Sequence, residues 1–111
     1  MKTFEIKTVQ VVPQEQIDDV LTDALEHGIS YWCDGVEIKK KPEEECKYAS
    51  DVLTRGGTLR LHDRMDGKWL FLELEPFLTA LGDMQFNFGD YDSLDADAAV
   101  QRALFGEVIY G

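Results

Sequence analysis

Two apolar runs joined by a short polar connection constrain this chain more than any other feature. Thr58-Leu59-Arg60-Leu61-His62 alternates apolar with polar side chains, and Lys68 to Leu74 supplies Trp69, Leu70, Phe71, Leu72 and Leu74 for a neighbouring strand. Between them Asp66-Gly67 has the composition of a tight turn, so the stretch predicts an antiparallel hairpin. One face of that hairpin has to be covered, and the remaining sequence provides helices to cover it, since the face would otherwise expose Trp69 and its neighbours.

The clearest of these helices runs from Gln14 to His27. Ile17, Val20, Leu21, Ala24 and Leu25 recur at helical spacing and form one stripe, which should carry Leu21 and Leu25 into the core. Asp18, Asp19, Asp23 and Glu26 are expected to stay wet. Pro13 suits the first helical turn, and Gly28 suits a left-handed stop. A second helix should start at Pro76 with Phe77, Leu78, Leu81 and Met84 on one side. A third should be capped by Asp95, present Ala96, Ala99, Val100, Ala103 and Leu104 to the core, and end at Gly106.

Shorter elements complete the reading. Phe4 to Val12 and Val36 to Ile38 read as strands, with Val108 to Tyr110 a final short one. Ile29, Tyr31 and Trp32 read as a strand or packed turn closed by Asp34-Gly35, with Trp32 an aromatic anchor against the first helix or the hairpin. Lys39 to Glu45 reads as an exposed connection, and Tyr48 to Thr54 as a short helix or irregular packed segment stopped by Gly56-Gly57. The fold class expected is α+β: a short antiparallel sheet including a hairpin, packed with about three helices. At 111 residues the chain should be a single acidic domain spanning 1–111.

Charge narrows the function classes. Eleven Lys and Arg face 22 Asp and Glu, giving a net charge of −11. Such a surface repels phosphate backbones and anionic headgroups, so direct nucleic-acid or membrane binding is not expected. The amino terminus lacks the basic, then apolar, then small-residue order of a secretory signal, which points to the cytoplasm. Two cysteines, Cys33 and Cys46, make at most one bridge, and free thiols are expected. With His27 and His62 they supply zinc-ligand types, but no tight spacing fixes two ligands locally, so neither metal nor cofactor is expected. Gly56-Gly57 lacks the pattern that cradles nucleotide phosphates, and no acid pair stands out from the many present. No catalytic residue is assigned.

The residues that stand out are candidates for contact. Tyr31, Trp32 and Tyr110 offer aromatic area for core or interface, and Arg55 beside two glycines can meet an anion. Arg60, His62 and Arg64 alternate with Leu59, Leu61 and Met65, so they decorate one face of the strand as a small positive patch. Asp83, Asp90, Asp92, Asp95 and Asp97 fall in a stretch with no basic residue and outline an acidic surface.

Several segments also carry a family likeness: Ile17-Asp18-Asp19, Ala24 through Cys33, Tyr48-Ala49-Ser50-Asp51, Arg55-Gly56-Gly57-Thr58-Leu59 and Ala103-Leu104-Phe105-Gly106-Glu107. In these the chain resembles an uncharacterised family of small proteins from phages and mobile elements of Gram-positive gut bacteria. The resemblance implies a phage or mobile-element origin; a protein partner from the host or the element is a separate expectation. It carries no assigned activity. The function expected is that of a non-catalytic small interaction or accessory protein. The alternatives are an acidic DNA mimic that inhibits a nucleic-acid-binding protein, and an uncharacterised enzyme. A homodimer is expected, with Val108 to Tyr110 either finishing an internal sheet or pairing across a two-fold interface.

Overall fold

The computed structural model describes residues 2–7 and 10–111. The amino-terminal run forms two strands rather than the one expected over Phe4 to Val12. β1 (Thr3–Lys7) pairs antiparallel with β2 (Gln10–Pro13), Phe4 standing opposite Val12. Thr8 and Val9, part of the same expectation, lie outside the described residues. Alternation holds on each strand, with Ile6 and Val12 buried and Glu5 and Val11 exposed.

Pro13 caps the first helix from outside rather than entering it, since its backbone is extended at φ −61° and ψ 146°. Helix α1 (Gln14–Asp23) continues into a π turn over Ala24–Gly28, closed by Ile29 N–H donating to the Ala24 carbonyl at 3.0 Å. Ile17, Val20, Leu21 and Ala24 are fully buried as the stripe requires. The wider turn shifts the register beyond them, and Leu25 ends only half-buried. Gly28 is not a left-handed stop. It is buried against the third helix, where a Cβ would lie 2.5 Å from the Ser93 carbonyl oxygen, so the two backbones meet there because the side chain is absent.

Ile29 and Trp32 turn into the core, and strand β3 (Cys33–Lys40) begins immediately. Asp34-Gly35, expected to end that element, lies inside the strand. Of the connection expected over Lys39 to Glu45, Lys39 and Lys40 instead belong to β3, while Lys41 and Glu43 to Glu45 are exposed outside it. Two short 3-10 turns, Ala49–Asp51 and Leu53–Arg55, bury Val52 and Leu53, and Gly56 at φ +89° ends the second.

The hairpin forms where the sequence puts it, as β4 (Thr58–Asp63) and β5 (Lys68–Leu72), with Leu61 opposite Leu70 and His62 opposite Trp69. The sheet order is β3-β4-β5, antiparallel throughout. Helix α2 (Leu74–Asp83) starts two residues before Pro76, which occupies the first turn, where its missing N–H breaks no helical bond. Helix α3 (Ser93–Phe105) is capped by Asp92 rather than Asp95. Asp95 is the reciprocal partner in a capping box, and Gly106 at φ +80° ends the helix. Val108 to Tyr110 forms no strand.

The architecture is α+β. Helices cover one face of the three-stranded sheet, where Leu59, Leu61 and Leu72 join Ile17, Leu21, Phe77, Leu81 and Val100 in one core cluster. Among the described residues, no element covers the other face. Trp69 and Phe71, expected beneath the helices, point outward instead, because the inward positions of β5 are those of half-buried Leu70 and buried Leu72. Among the described residues no helix is long and apolar enough to cross a membrane.

Candidate interaction surface

The residues singled out in the sequence fall into three separate places. Arg60 and His62 stand on the open face of the sheet, as their alternation on β4 requires. Register brings Phe71 opposite Arg60 and Trp69 opposite His62 on one side, and Glu37 and Gly35 opposite the same pair on the other. The Trp69 indole lies back across the sheet toward β3. It can do so because Gly35 has no side chain: a Cβ there would stand 3.2 Å from the Trp69 Cη2 and from the His62 Cβ.

Cations lie over both rings. The Arg60 guanidinium carbon is 4.4 Å from the Trp69 ring centre, and Lys39 Nζ is 3.8 Å from that of Phe71. Arg60 also donates from Nε to Glu37 Oε1 at 2.8 Å, and His62 Nδ1 is hydrogen-bonded to Asp34. That bond with His62 holds the Asp34 carboxyl below the usual carboxylate range. The rings stay accessible, Trp69 at 38% and Phe71 at 51% exposure. The result is an aromatic surface whose charges are locally balanced. Arg64 does not belong to it. It sits past the end of β4 and donates to the Tyr31 carbonyl.

Tyr31, Trp32 and Tyr110 gather elsewhere, around Asp63 and around Asp97, which the sequence assigned to an acidic surface. Asp97 is only 4% exposed and does not contribute to an acidic surface. Its Oδ1 accepts from Trp32 Nε1 at 2.8 Å and Gln101 Nε2 at 2.9 Å, and its Oδ2 from the Tyr31 hydroxyl at 2.6 Å. The Trp32 ring is fully buried against Phe105 and Tyr110, at centroid distances of 5.9 and 5.6 Å. Its aromatic partners therefore come from α3 and the segment after it, not from α1 or the hairpin. Gln101 then does for the chain end what a neighbouring strand would do: Oε1 accepts from the N–H groups of Ile109 and Tyr110 at 2.9 Å each, and Nε2 donates to the Tyr110 carbonyl at 3.2 Å. The Tyr110 hydroxyl donates to Asp63 Oδ2 at 2.6 Å, while Asp63 Oδ1 accepts the Met65 amide of the hairpin turn at 2.9 Å.

Both phenols in this cluster resist ionisation. Burial and the bond to Asp97 push Tyr31 up to about 12 from an ordinary 10.0, and the bond to Asp63 with some burial pushes Tyr110 to about 12 as well. The folded state thus holds protons that the unfolded chain releases from about pH 10. The stabilisation is complete below that pH and is lost as the pH rises toward 12. Unfolding free energy measured from pH 9 to pH 12 should fall, and Tyr31→Phe, which cannot ionise, should make the fall shallower. An unchanged slope in that variant would show that the bond to Asp97 does not control the titration.

Arg55 occupies the third place. Its Nη1 donates to Asp18 Oδ2 at 2.9 Å and to the Asp51 carbonyl at 3.0 Å, and the Thr54 hydroxyl donates to Asp18 Oδ1 at 2.6 Å. Asp18, expected to be wet, is 7% exposed and ties α1 to the second 3-10 turn. The hydrogen bond to Asp18 raises the Arg55 pKa further. Arg55 is engaged within the protein rather than held ready for an outside anion.

Of the acidic set, Asp83, Asp90, Asp92 and Asp95 are exposed, on the end of α2 and around the start of α3. Cys33 and Cys46 are free thiols, each raised in pKa chiefly by burial. Sequence reasoning did not identify Trp69, Phe71, Glu37 and Lys39 as surface partners of Arg60. Trp69 and Phe71 share one parity on β5, but Leu70 and Leu72 share the other, so both faces of the strand read as apolar. Compared with models of protein families, with curated proteins and with solved structures, the chain matches none.

Proposed function

We propose that this chain is a non-catalytic interaction protein that docks a partner protein on the open face of its three-stranded sheet. The observation carrying this reading is the bare aromatic area of Trp69 and Phe71 on a face that no other element covers among the described residues. Aromatic and arginine side chains held in fixed positions are the usual energetic centres of protein interfaces, because they desolvate large area at small entropic cost. Gly35, Arg60 and Lys39 hold the rings in place beforehand. A protein fits this face better than a nucleic acid does. Each ring already has a cation over it, Arg60 is neutralised by Glu37, and the rest of the molecule is strongly acidic. The family resemblance would place that partner in a bacterial host or on the mobile element itself.

A second reading draws on charge segregation. Cys33 to Leu72 contains eight Lys and Arg and eight Asp and Glu, so the whole net charge of −11 is carried outside it. This favours the acidic side, with Asp83, Asp90, Asp92 and Asp95, as a mimic of DNA toward a basic partner. Affinity capture from a Gram-positive lysate at near-physiological salt, followed by titration of the purified partner, separates the two. Trp69→Ala should weaken binding by about 30-fold or more, the effect of losing a central anchor of about 2 kcal/mol, with unfolding free energy little changed. Full affinity in Trp69→Ala, combined with loss in Asp83→Asn/Asp90→Asn and displacement by duplex DNA, would overturn the sheet-face reading in favour of mimicry.

A further inference from the structure

The homodimer edge expected at Val108 to Tyr110 is already occupied, because the Tyr110 amide and carbonyl are both bonded to Gln101. A different edge is open. β3 is eight residues long, and β4 is its only strand neighbour among the described residues. From Val36 to Lys40 every residue is exposed, including Val36 at 36% and Ile38 at 50%. The opposite edge strand, β5, is shorter and packed against α3. A long, exposed edge with apolar side chains is a template for another strand unless something covers it.

We propose that a second copy of this chain covers it, by antiparallel pairing of β3 with β3 about a two-fold axis at Glu37. The two three-stranded sheets then become one sheet of six. Three observations select a second copy as the occupant.

The first is the order of side chains along the strand, which is self-complementary. Asp34 stands near one end, Lys39 and Lys40 at the other, and Val36 and Ile38 flank Glu37. Antiparallel pairing about Glu37 sets Val36 opposite Ile38 twice. It also brings Asp34 of each copy beside Lys39 and Lys40 of the other. Directly opposed side chains share a face, so both apolar pairs fall on the helix-covered side and Glu37, held by Arg60, stays on the open side.

The second is the shape of that helix-covered side. Val36 borders a hollow of about 240 Å³ with Leu25 and Tyr48, and Ile38 borders one of about 320 Å³ with Pro42 and Cys46. Tyr48 is 64% exposed. The partner's Ile38, placed opposite Val36, covers the first hollow and removes Tyr48 from water.

The third is charge. Two copies at −11 repel one another, and the neutral stretch Cys33 to Leu72 is where they approach at least cost, with the acidic segments turned to the flanks. This proposal does not depend on what binds the open sheet face.

Sedimentation equilibrium over a concentration series tests it with the full chain. Wild type should show a monomer–dimer equilibrium, and Ile38→Lys, which places a charge opposite Val36 twice per dimer, should leave a folded monomer. Asp34→Lys and Lys40→Asp should each raise the dimer dissociation constant about tenfold, since opposed like charges are unfavourable and the two-fold axis counts each contact twice. The double exchange Asp34→Lys/Lys40→Asp should return it to near the wild-type value. That recovery keeps the test meaningful even where Ile38→Lys disturbs the fold. A monomer at every concentration would overturn the proposal, as would a dimer indifferent to Ile38→Lys or a double exchange no better than the singles. A monomer whose β3 amides gain hydrogen-exchange protection only on addition of an extended peptide from another protein would overturn the second copy as occupant.

Discussion

Replacing Trp32 by alanine is expected to lower the unfolding free energy by about 3–5 kcal/mol, the range for removing a large aromatic ring from a core that cannot collapse around the loss. The ring is fully buried and in contact with Phe105 and Tyr110, so its removal opens a cavity at the point where the π turn, α3 and the chain end meet. For a domain of this size that corresponds to a fall in melting temperature of roughly 13–21 °C. Trp32→Phe separates the two contributions of the side chain. It keeps most of the apolar area and loses the N–H that donates to Asp97. Denaturant unfolding followed by far-UV circular dichroism gives both values. A change below about 0.5 kcal/mol for Trp32→Ala would show that the ring contributes little to the core.

The second large effect is expected at Asp97. Alanine there leaves three donors without their acceptor: the Trp32 indole N–H, the Tyr31 hydroxyl and the Gln101 amide. Tyr31 and Gln101 keep another acceptor, since the Tyr110 carbonyl lies within hydrogen-bond distance of both, at 3.1 and 3.2 Å. Among the described residues the indole N–H has no other acceptor, so it bears the full cost of a buried unsatisfied donor. A total loss of about 2–4 kcal/mol follows. Asp97→Asn should cost less, because its amide oxygen can still accept from Trp32. The two sites should also be coupled. In Trp32→Phe the donor is gone, and Asp97→Ala should then be less damaging by about 1 kcal/mol or more. Strict additivity in this cycle would show that the indole and the carboxylate do not act as a pair.

The local elements were largely legible in the sequence. The stripe from Ile17 to Ala24, the alternation of Leu59 and Leu61, and the glycine after α3 each produced the element expected. Helix and strand periods are short-range consequences of backbone geometry and are written into neighbouring residues. The amino-terminal run failed as a single strand because a sequence rich in valine is equally compatible with one long strand or two short ones. Gly28 was misread for a related reason. A helix-ending glycine is commonly left-handed, but here the constraint comes from the approach of Ser93, far along the chain.

What only the tertiary structure decided is the environment of polar and aromatic side chains. Asp18 and Asp97 read as wet because charge patterning registers only the cost of burying a carboxylate. Their compensating donors stand 36 and 65 residues away, at Thr54 and Trp32. Trp69 read as covered because both faces of β5 are apolar, and nothing local says which face the helices take. Composition and period determined that helices would cover one side of an antiparallel sheet. Which aromatic rings stay in water, which acids are buried and which strand edge is left unpaired depended on contacts between distant segments, whose energies appear only once the chain has brought them together.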